Sequence, residues 1–348
     1  MNEIINNISK VEIFNLWKKY DIEWELNPDV NILAGINGSG KSTILDLICA
    51  PLTVGQLTKE HDRDVNEIII TLNNGKRITF NKIVIDDTIK NIEKRAKFDE
   101  KYKIVFSELK EQEGDNLKKI KGVHFEMNMT SLSDLKMNLQ ELGKLLNINV
   151  ISTFDNPLKT SEDVRKLSDD KVKTELDWEI YKLQKEYLDY QLNISKRKDF
   201  ILENEENPKE EIIRLRHPQN IFLNVIDKLF KETKKGLNKD KNEICFITDD
   251  GIEITPYQLS SGEKQLLLIL LTVLVQDNKH SILFMDEPEI SLHIDWQKKL
   301  IQYIRELNPN VQLIIATHSP AVIMEGWLDK VTEITDIIVK EKTVKHKK

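Results

Sequence analysis

Two cysteines in 348 residues, Cys49 and Cys245, lie far apart and leave no room for a disulfide framework or a cysteine-built metal site. No apolar run approaches the ~20 residues needed to cross a bilayer. The longest, Leu266 to Val275, is ten residues with a threonine inside it and reads as a core helix. The opening MNEIINNISK has neither the basic flank nor the apolar core of a secretory signal, so the expected location is the cytoplasm, with no membrane partner. Positive charge is not in excess either. The net charge of −7 excludes a general attraction of the whole chain to nucleic acid, leaving nucleic acid open only as a partner of some local basic face. Glycine is scarce: there are twelve, and none between Gly143 and Gly236.

What is present is a 40% hydrophobic chain, long enough for one large folded domain or two ordinary ones. Residues 11 to 33 read as short strands (VEIFNL, DIEWEL, VNILAG) that run into a glycine-rich loop, and 41 to 49 as the helix after it. EIIITLNNGKRITFNKIVI reads as a hairpin about Asn-Asn-Gly. From Asp86 to about Asn238 the chain is charged and helix-prone. Val172, Leu176, Ile180, Leu183, Tyr187, Tyr190, Ile194 and Ile201 there fall at steps of three, four or seven. Two readings of that stripe stand: an amphipathic helix packed on the core, or a short antiparallel arm that projects from it. A second β pair, EICFIT and IEIT, precedes an alternation of helix, strand (SILFMD), helix and strand (VQLIIAT), as in a doubly wound α/β sheet.

Chemistry concentrates at four places. GINGSGKS, residues 35 to 42, fits G-x-x-x-x-G-K-[ST] between a strand and a helix, the context a phosphate-binding P-loop requires. Its candidate nucleotide-binding residues are Gly35, Asn37, Gly38, Ser39, Gly40, Lys41, Ser42 and Thr43. The glycines let backbone N–H groups approach phosphate. Lys41 neutralises the β- and γ-phosphates, Ser42 offers a hydroxyl to Mg²⁺, and Thr43 is placed for the α-phosphate. SILFMDEPE puts Asp286 at the end of a buried strand as a second Mg²⁺ ligand, with Glu287 one step on as candidate general base. His318, in the THSP turn after the next strand, is a candidate γ-phosphate contact. LSSGEKQ opens a leucine helix with small residues: Ser260 and Glu263 make an S-x-x-E capping box, while Ser261 and Gly262 leave the helix N-terminus open to an anion.

Together GINGSGKS, LSSGEKQ, MDEPEISLH and THS resemble the ABC-type ATPases, in the branch of the SMC, RecF and OLD-like proteins rather than the transporter subunits. The resemblance implies an α/β P-loop NTPase with an ABC-type head, a parallel core sheet plus an antiparallel β lobe, and an inserted helical region. It implies ATP and Mg²⁺ as cofactors and a homodimer that sandwiches two nucleotides, each capped by the other subunit's signature helix. Ser260 and Gly262 would then meet the partner's γ-phosphate, and Ser291 in EISLH would lie at the dimer interface, with His293 beside it. Ser261 and Glu263 depart from the common LSGGQ. VISTFDNP, ending at Pro157, reads as a strand leaving the lobe junction, and the family's Q-loop is assigned neither to it nor to Gln56.

The domain expectation follows: residues 1–85 an N-terminal ATPase lobe, 86–238 a helical insertion, 239–340 a C-terminal ATPase lobe, and 341–348 a basic tail. The spacing of 217 residues between Lys41 and Leu259, which includes the insertion, together with EPEISLH, resembles the stand-alone ATPases of bacterial anti-phage systems of the Septu, retron-associated and PARIS kinds. OLD nucleases add a C-terminal Toprim domain, for which the 30 residues after His318 give no room. The leading expectation is an ATP-hydrolysing sensor or switch in antiviral defence that controls a separately encoded effector such as a nuclease. The alternatives are a RecF- or SMC-like ATPase of DNA repair or DNA clamping and, behind it, a transporter subunit.

Overall fold

The computed structural model describes residues 5–53, 65–87, 89–113, 123–132, 139–152 and 172–341. Gln56, the end of the VISTFDNP segment beyond Ser152, and the tail after Glu341 lie outside the described residues.

The chain opens with the antiparallel pair β1 (Ile8–Leu16) and β2 (Tyr20–Glu25), then β3 (Val30–Ala34), the glycine loop and α1 (Lys41–Thr53). The hairpin of β4 (Glu67–Leu72) and β5 (Arg77–Asp87) turns through Gly75 at φ 79°. Helices α2 (Ile89–Arg95) and α3 (Glu100–Glu113), strand β6 (Val123–Ser131), helix α4 (Leu139–Leu146) and strand β7 (Ile148–Ser152) follow. Two long helices come next, α5 (Glu175–Asn204) and α6 (Pro208–Lys231), then a small sheet of β8 (Lys235–Leu237), β9 (Phe246–Thr248) and β10 (Glu253–Ile254). The last stretch alternates as expected: α7 (Ser261–Val275), β11 (Ser281–Asp286), α8 (Ile294–Leu307), β12 (Val311–Thr317), α9 (Pro320–Met324), β13 (Val331–Glu333) and β14 (Ile338–Glu341).

The central sheet is parallel throughout, in the order β13-β3-β12-β11-β7, and a six-stranded antiparallel sheet, β14-β2-β1-β4-β5-β6, lies beside it. This is an α/β P-loop architecture with an antiparallel β lobe. Parallel strands covered on both faces must be apolar at nearly every position, and every residue of β3 and β12 is buried. Alternate residues divide between two cores. Ile282 and Phe284 of β11 join α1 and the antiparallel sheet, while Leu283 and Met285 face the cluster built by α5, α6, α7 and α8. The two sheets are also tied by a buried amide: the Gln312 side chain accepts from the Ile8 N–H at 2.9 Å and donates to the Ile8 carbonyl at 2.7 Å, copying a strand pairing.

The stretch from 86 to 238 is not helical throughout. β6 extends the antiparallel sheet against β5, and β7 forms the edge of the central sheet against β11. The signal for β6 was present as strict alternation of Val123, Phe125, Met127 and Met129. β7 takes in the first residues of VISTFDNP, the stretch that reads as a strand.

The stripe on α5 is buried against the core. Leu176, Ile180, Leu183, Tyr187, Tyr190 and Ile194 all belong to the cluster that contains α7, with Ile201 packed at its margin. Beyond that margin the α5–α6 turn exposes Phe200, Leu202 and Ile213. The packed reading therefore describes most of the helix, and only the hairpin tip stands clear. Truncating fully buried Ile180 to Ala should cost about 2–5 kcal/mol in denaturant unfolding. Leu202→Ala at the exposed tip should stay within about 0.5 kcal/mol of the parent.

Candidate active site

Three neighbouring strands end in line. The register pairs Thr317 of β12 with Ala34 of β3, and Ala316 with Asp286 of β11, so the glycine loop, the DEPE turn and the THS turn leave the same edge of the sheet. A ligand site outside the carboxyl ends of parallel strands is what this topology provides.

Within that edge the sequence-chosen residues meet. Lys41 is buried at the start of α1, with its ammonium 3.0 Å from the Gly35 carbonyl and 3.4 Å from Glu287 Oε1. Ser42 donates its hydroxyl to Asp286 Oδ1 at 3.0 Å. Glu287 leaves β11 with φ 47°, an uncommon backbone state for a side chain of its kind. Its N–H still reaches the Ala316 carbonyl at 2.8 Å, and its carboxylate bonds to His318 Nδ1. Strained backbone of this sort persists where surrounding structure fixes it, and it concentrates at working sites. Gly40 has a steric reason to be glycine: a Cβ there would lie 2.1 Å from the ring of Trp17, which reaches over the loop from the β1–β2 turn.

Two residues that sequence reasoning passed over belong to the same group. Trp17 is one. Glu289 is the other, two positions past Glu287 and 5% exposed. Its Oε1 accepts from the Thr317 hydroxyl and from the Ser319 N–H at 3.2 Å, bracing both sides of His318, and lies 3.7 Å from His318 Nδ1. The second glutamate in DEPE was the available signal.

The two glutamates titrate apart. Burial pushes Glu289 up to about 7, helped by the charge of Glu287 and opposed by Thr317. Burial acts on Glu287 in the same direction, but Glu289, His318 and Lys41 outweigh it and hold its pKa below the usual glutamate value. Near neutral pH the pair thus offers an ionised carboxylate at Glu287 beside a partly protonated neighbour, the division of labour expected of a base and its support. Asp286 is raised, by burial first and by Glu287 and Asp46, against the Ser42 bond.

The residues at this edge fit a nucleotide with a hard cation. Ser42 and Asp286 bring a hydroxyl and a carboxylate oxygen to one point, the donor chemistry Mg²⁺ takes. Gly38 and Gly40, at φ 78° and 100°, shape the loop ahead of α1.

The signature residues lie elsewhere on the same chain. Ser260 is the N-cap of α7 in a complete capping box with Glu263. Gly262 is pressed against the loop after β11: a Cβ there would lie 2.2 Å from the Ser291 carbonyl. Ser291 itself has φ 69°. His293 caps α8 by accepting from the Asp295 N–H at 3.4 Å. Among the described residues, Ser260, Ser261 and Gly262 make no hydrogen bond to the glycine loop, Asp286, Glu287 or His318.

Residues 30–325 match the family described as "AAA domain, putative AbiEii toxin, Type IV TA system". The chain belongs to this family. Among curated relatives of this AAA domain, the Retron Vc95 probable ATPase of Vibrio cholerae is 29% identical over 102 residues, 26% of this chain and 20% of that protein. The Septu protein PtuA of Bacillus thuringiensis is 29% identical over 125 residues, 30% of this chain and 31% of that one. The chain thus spans a third or less of these relatives. Among solved structures, an SMC head bound to the C-winged helix domain of ScpA overlays 91% of each chain at 18% identity with a TM-score of 0.47.

Glu289 sets a test by its titration. A carboxyl whose folded pKa is raised from 4.5 to about 7 stabilises the fold fully below pH 4.5 and loses that contribution as pH rises through 7. Glu289→Gln, which stays neutral, should therefore gain on the parent as pH rises. The difference in melting temperature should move in the variant's favour by about 2 °C or more from pH 5 to pH 8.5.

Proposed function

We infer that this chain binds ATP with Mg²⁺ and hydrolyses it between two copies of itself, as a switch over a separately encoded effector such as a nuclease in antiviral defence. The observation that supports hydrolysis is the group formed by Lys41, Ser42, Asp286, Glu287 and His318 at three adjoining strand ends. The likeness to a retron ATPase and to PtuA supports the defence setting and the effector.

Each residue has a task that its surroundings favour. The loop N–H groups and Lys41 take the phosphate charge. Ser42 and Asp286 would hold the Mg²⁺, which neutralises charge on the phosphate oxygens when bound. Glu287, ionised at neutral pH, accepts a proton from the water that attacks the γ-phosphorus, and ADP leaves with the bridging oxygen. His318 Nδ1 holds the Glu287 carboxylate in place from the end of β12. Its other ring nitrogen is the group available to the γ-phosphate.

The dimer reading rests on the signature. Among the described residues, Ser260, Ser261 and Gly262 have no bond to the phosphate-binding edge of their own chain, while the first N–H groups of a helix are suited to an anion. A second copy, docked head to tail, brings them to its neighbour's nucleotide.

Two measurements test this reading. Glu287→Gln keeps the side-chain shape and removes the base. ATP should still bind, and steady-state phosphate release should fall by roughly 10²-fold or more; unchanged turnover would remove Glu287 from the role. Ser260→Arg and Lys41→Ala should each be inactive alone. When mixed, one of the two composite sites in a heterodimer carries both lesions and the other carries none, so ATPase activity should return. No recovery, with heterodimers demonstrated by differential tags, would count against action across the dimer.

A further inference from the structure

The first turn of α7 is held from both ends of the inserted hairpin by buried charge. Glu263 is 1% exposed. Its Oε1 accepts from the Thr233 hydroxyl at 2.5 Å and from Lys235 Nζ at 2.8 Å, both just past the end of α6. Its Oε2 accepts from the Ser260 N–H at 2.9 Å and the Ser260 hydroxyl at 2.8 Å. Burial alone would raise the Glu263 pKa, yet the donors Lys235, Thr233 and Ser260 hold it below its ordinary value, so it is a carboxylate at neutral pH. The next residue reaches the other helix: Lys264 Nζ lies 2.7 Å from Asp177 Oδ1, with both side chains buried. Asp177 sits in the first turn of α5, and its Oδ2 accepts from the N–H groups of Lys173 and Thr174 at 3.0 and 3.1 Å. Start of α5 and exit of α6 thus each own one handle on the turn that carries Ser260, Ser261 and Gly262.

The residues Leu266 to Leu274 already anchor α7 in the core. A buried ion pair often adds nothing net over apolar groups of the same size, because desolvation offsets the attraction. What such a pair does add is a demand for one geometry, since a misplaced partner leaves a bare charge in the interior. The hairpin packs on the core from Leu176 to Ile194, so the start of α5, the exit of α6 and the signature turn belong to one packed body. Its far end exposes Phe200, Leu202 and Ile213.

We propose that Asp177 and Lys235 are positioning residues for the signature, through which the α5–α6 hairpin sets how Ser260 and Gly262 present to the nucleotide of a second copy. A load on the hairpin then alters turnover while ATP binding at the chain's own Lys41 loop is left alone. This rests on the reading that the signature works across the dimer.

The test uses the full chain with Asp177→Asn and Lys264→Met together. Asn keeps an oxygen for the Lys173 and Thr174 N–H groups, and the pair of changes removes both buried charges at once, so neither is stranded. The expected result is an unfolding midpoint near the parent's and affinity for a fluorescent ATP analogue within about two-fold. The kcat should be lower by about ten-fold or more, and Lys235→Met made together with Glu263→Gln, which likewise strands no buried charge, should show the same split. A folded double variant with the parent's kcat would overturn the proposal, as would a loss confined to ATP affinity. Mixing separates this from the dimer reading. With Lys41→Ala chains, the double variant should regain activity just as Ser260→Arg does. Recovery with Ser260→Arg alone would overturn the positioning role and leave the dimer standing; recovery with neither would overturn the dimer reading, and the proposal with it.

Discussion

The site depends on β12 lying between β3 and β11 in one parallel register. No single loop carries the chemistry: Lys41 and Ser42 follow β3, Asp286 and Glu287 end β11, and His318 follows β12. They come within bonding distance because the strands end within a residue of each other. That register is in turn fixed by burial on both faces, since a slip of one residue would exchange the two cores that Leu283 and Phe284 fill separately. The packing of apolar strands is thus what places the polar residues.

Polar burial then sharpens what the register assembles. An ionised Glu287 next to Lys41 and His318 is in a stable charge arrangement, but a second ionised acid a few ångströms away is not. The conflict resolves through Glu289, whose protonation is favoured by its burial and which accepts from Thr317 and Ser319 on either side of His318. The histidine turn is therefore braced by a residue that has no need to touch nucleotide. Left-handed backbone at Glu287 and Ser291 is tolerated in the same loop because its bonds are made: Ile290 N–H to the Glu287 carbonyl and Leu292 N–H to the Glu289 carbonyl.

Much of this was legible in the sequence where a local pattern has a local cause. The P-loop spacing, the buried strand before Asp286 and the NNG hairpin each need only a few adjacent residues to state their geometry, and the parallel core with its antiparallel lobe followed from them. β7 was legible as a strand at VISTFDNP but its place was not: it forms the edge of the central sheet because β11 offers one, and the paired Ile148 and Ile282 lie 134 positions apart. Trp17 was invisible for a like reason, as only the folded β1–β2 turn brings its ring onto Gly40. The α5 stripe told correctly which side is apolar. It could not tell whether that side meets the core or another arm, because periodicity is the same in both cases.

The small residues that open α7 answer to two masters inside the chain before any ligand is considered. Ser260 and Glu263 close the cap, and Gly262 lets the Ser291 carbonyl approach where a methyl group could not fit. These internal demands do not explain the whole turn. A cap needs Ser260 and a close approach needs Gly262, but neither needs Glu263 to be tied to Lys235 and Thr233, or Lys264 to Asp177. A helix anchored by a run of leucines holds its axis through the core, and the freedom left is rotation and tilt of its first turn, where Ser260 and Ser261 are exposed while Gly262, Glu263 and Lys264 are buried. The charged ties act at that end and remove that freedom.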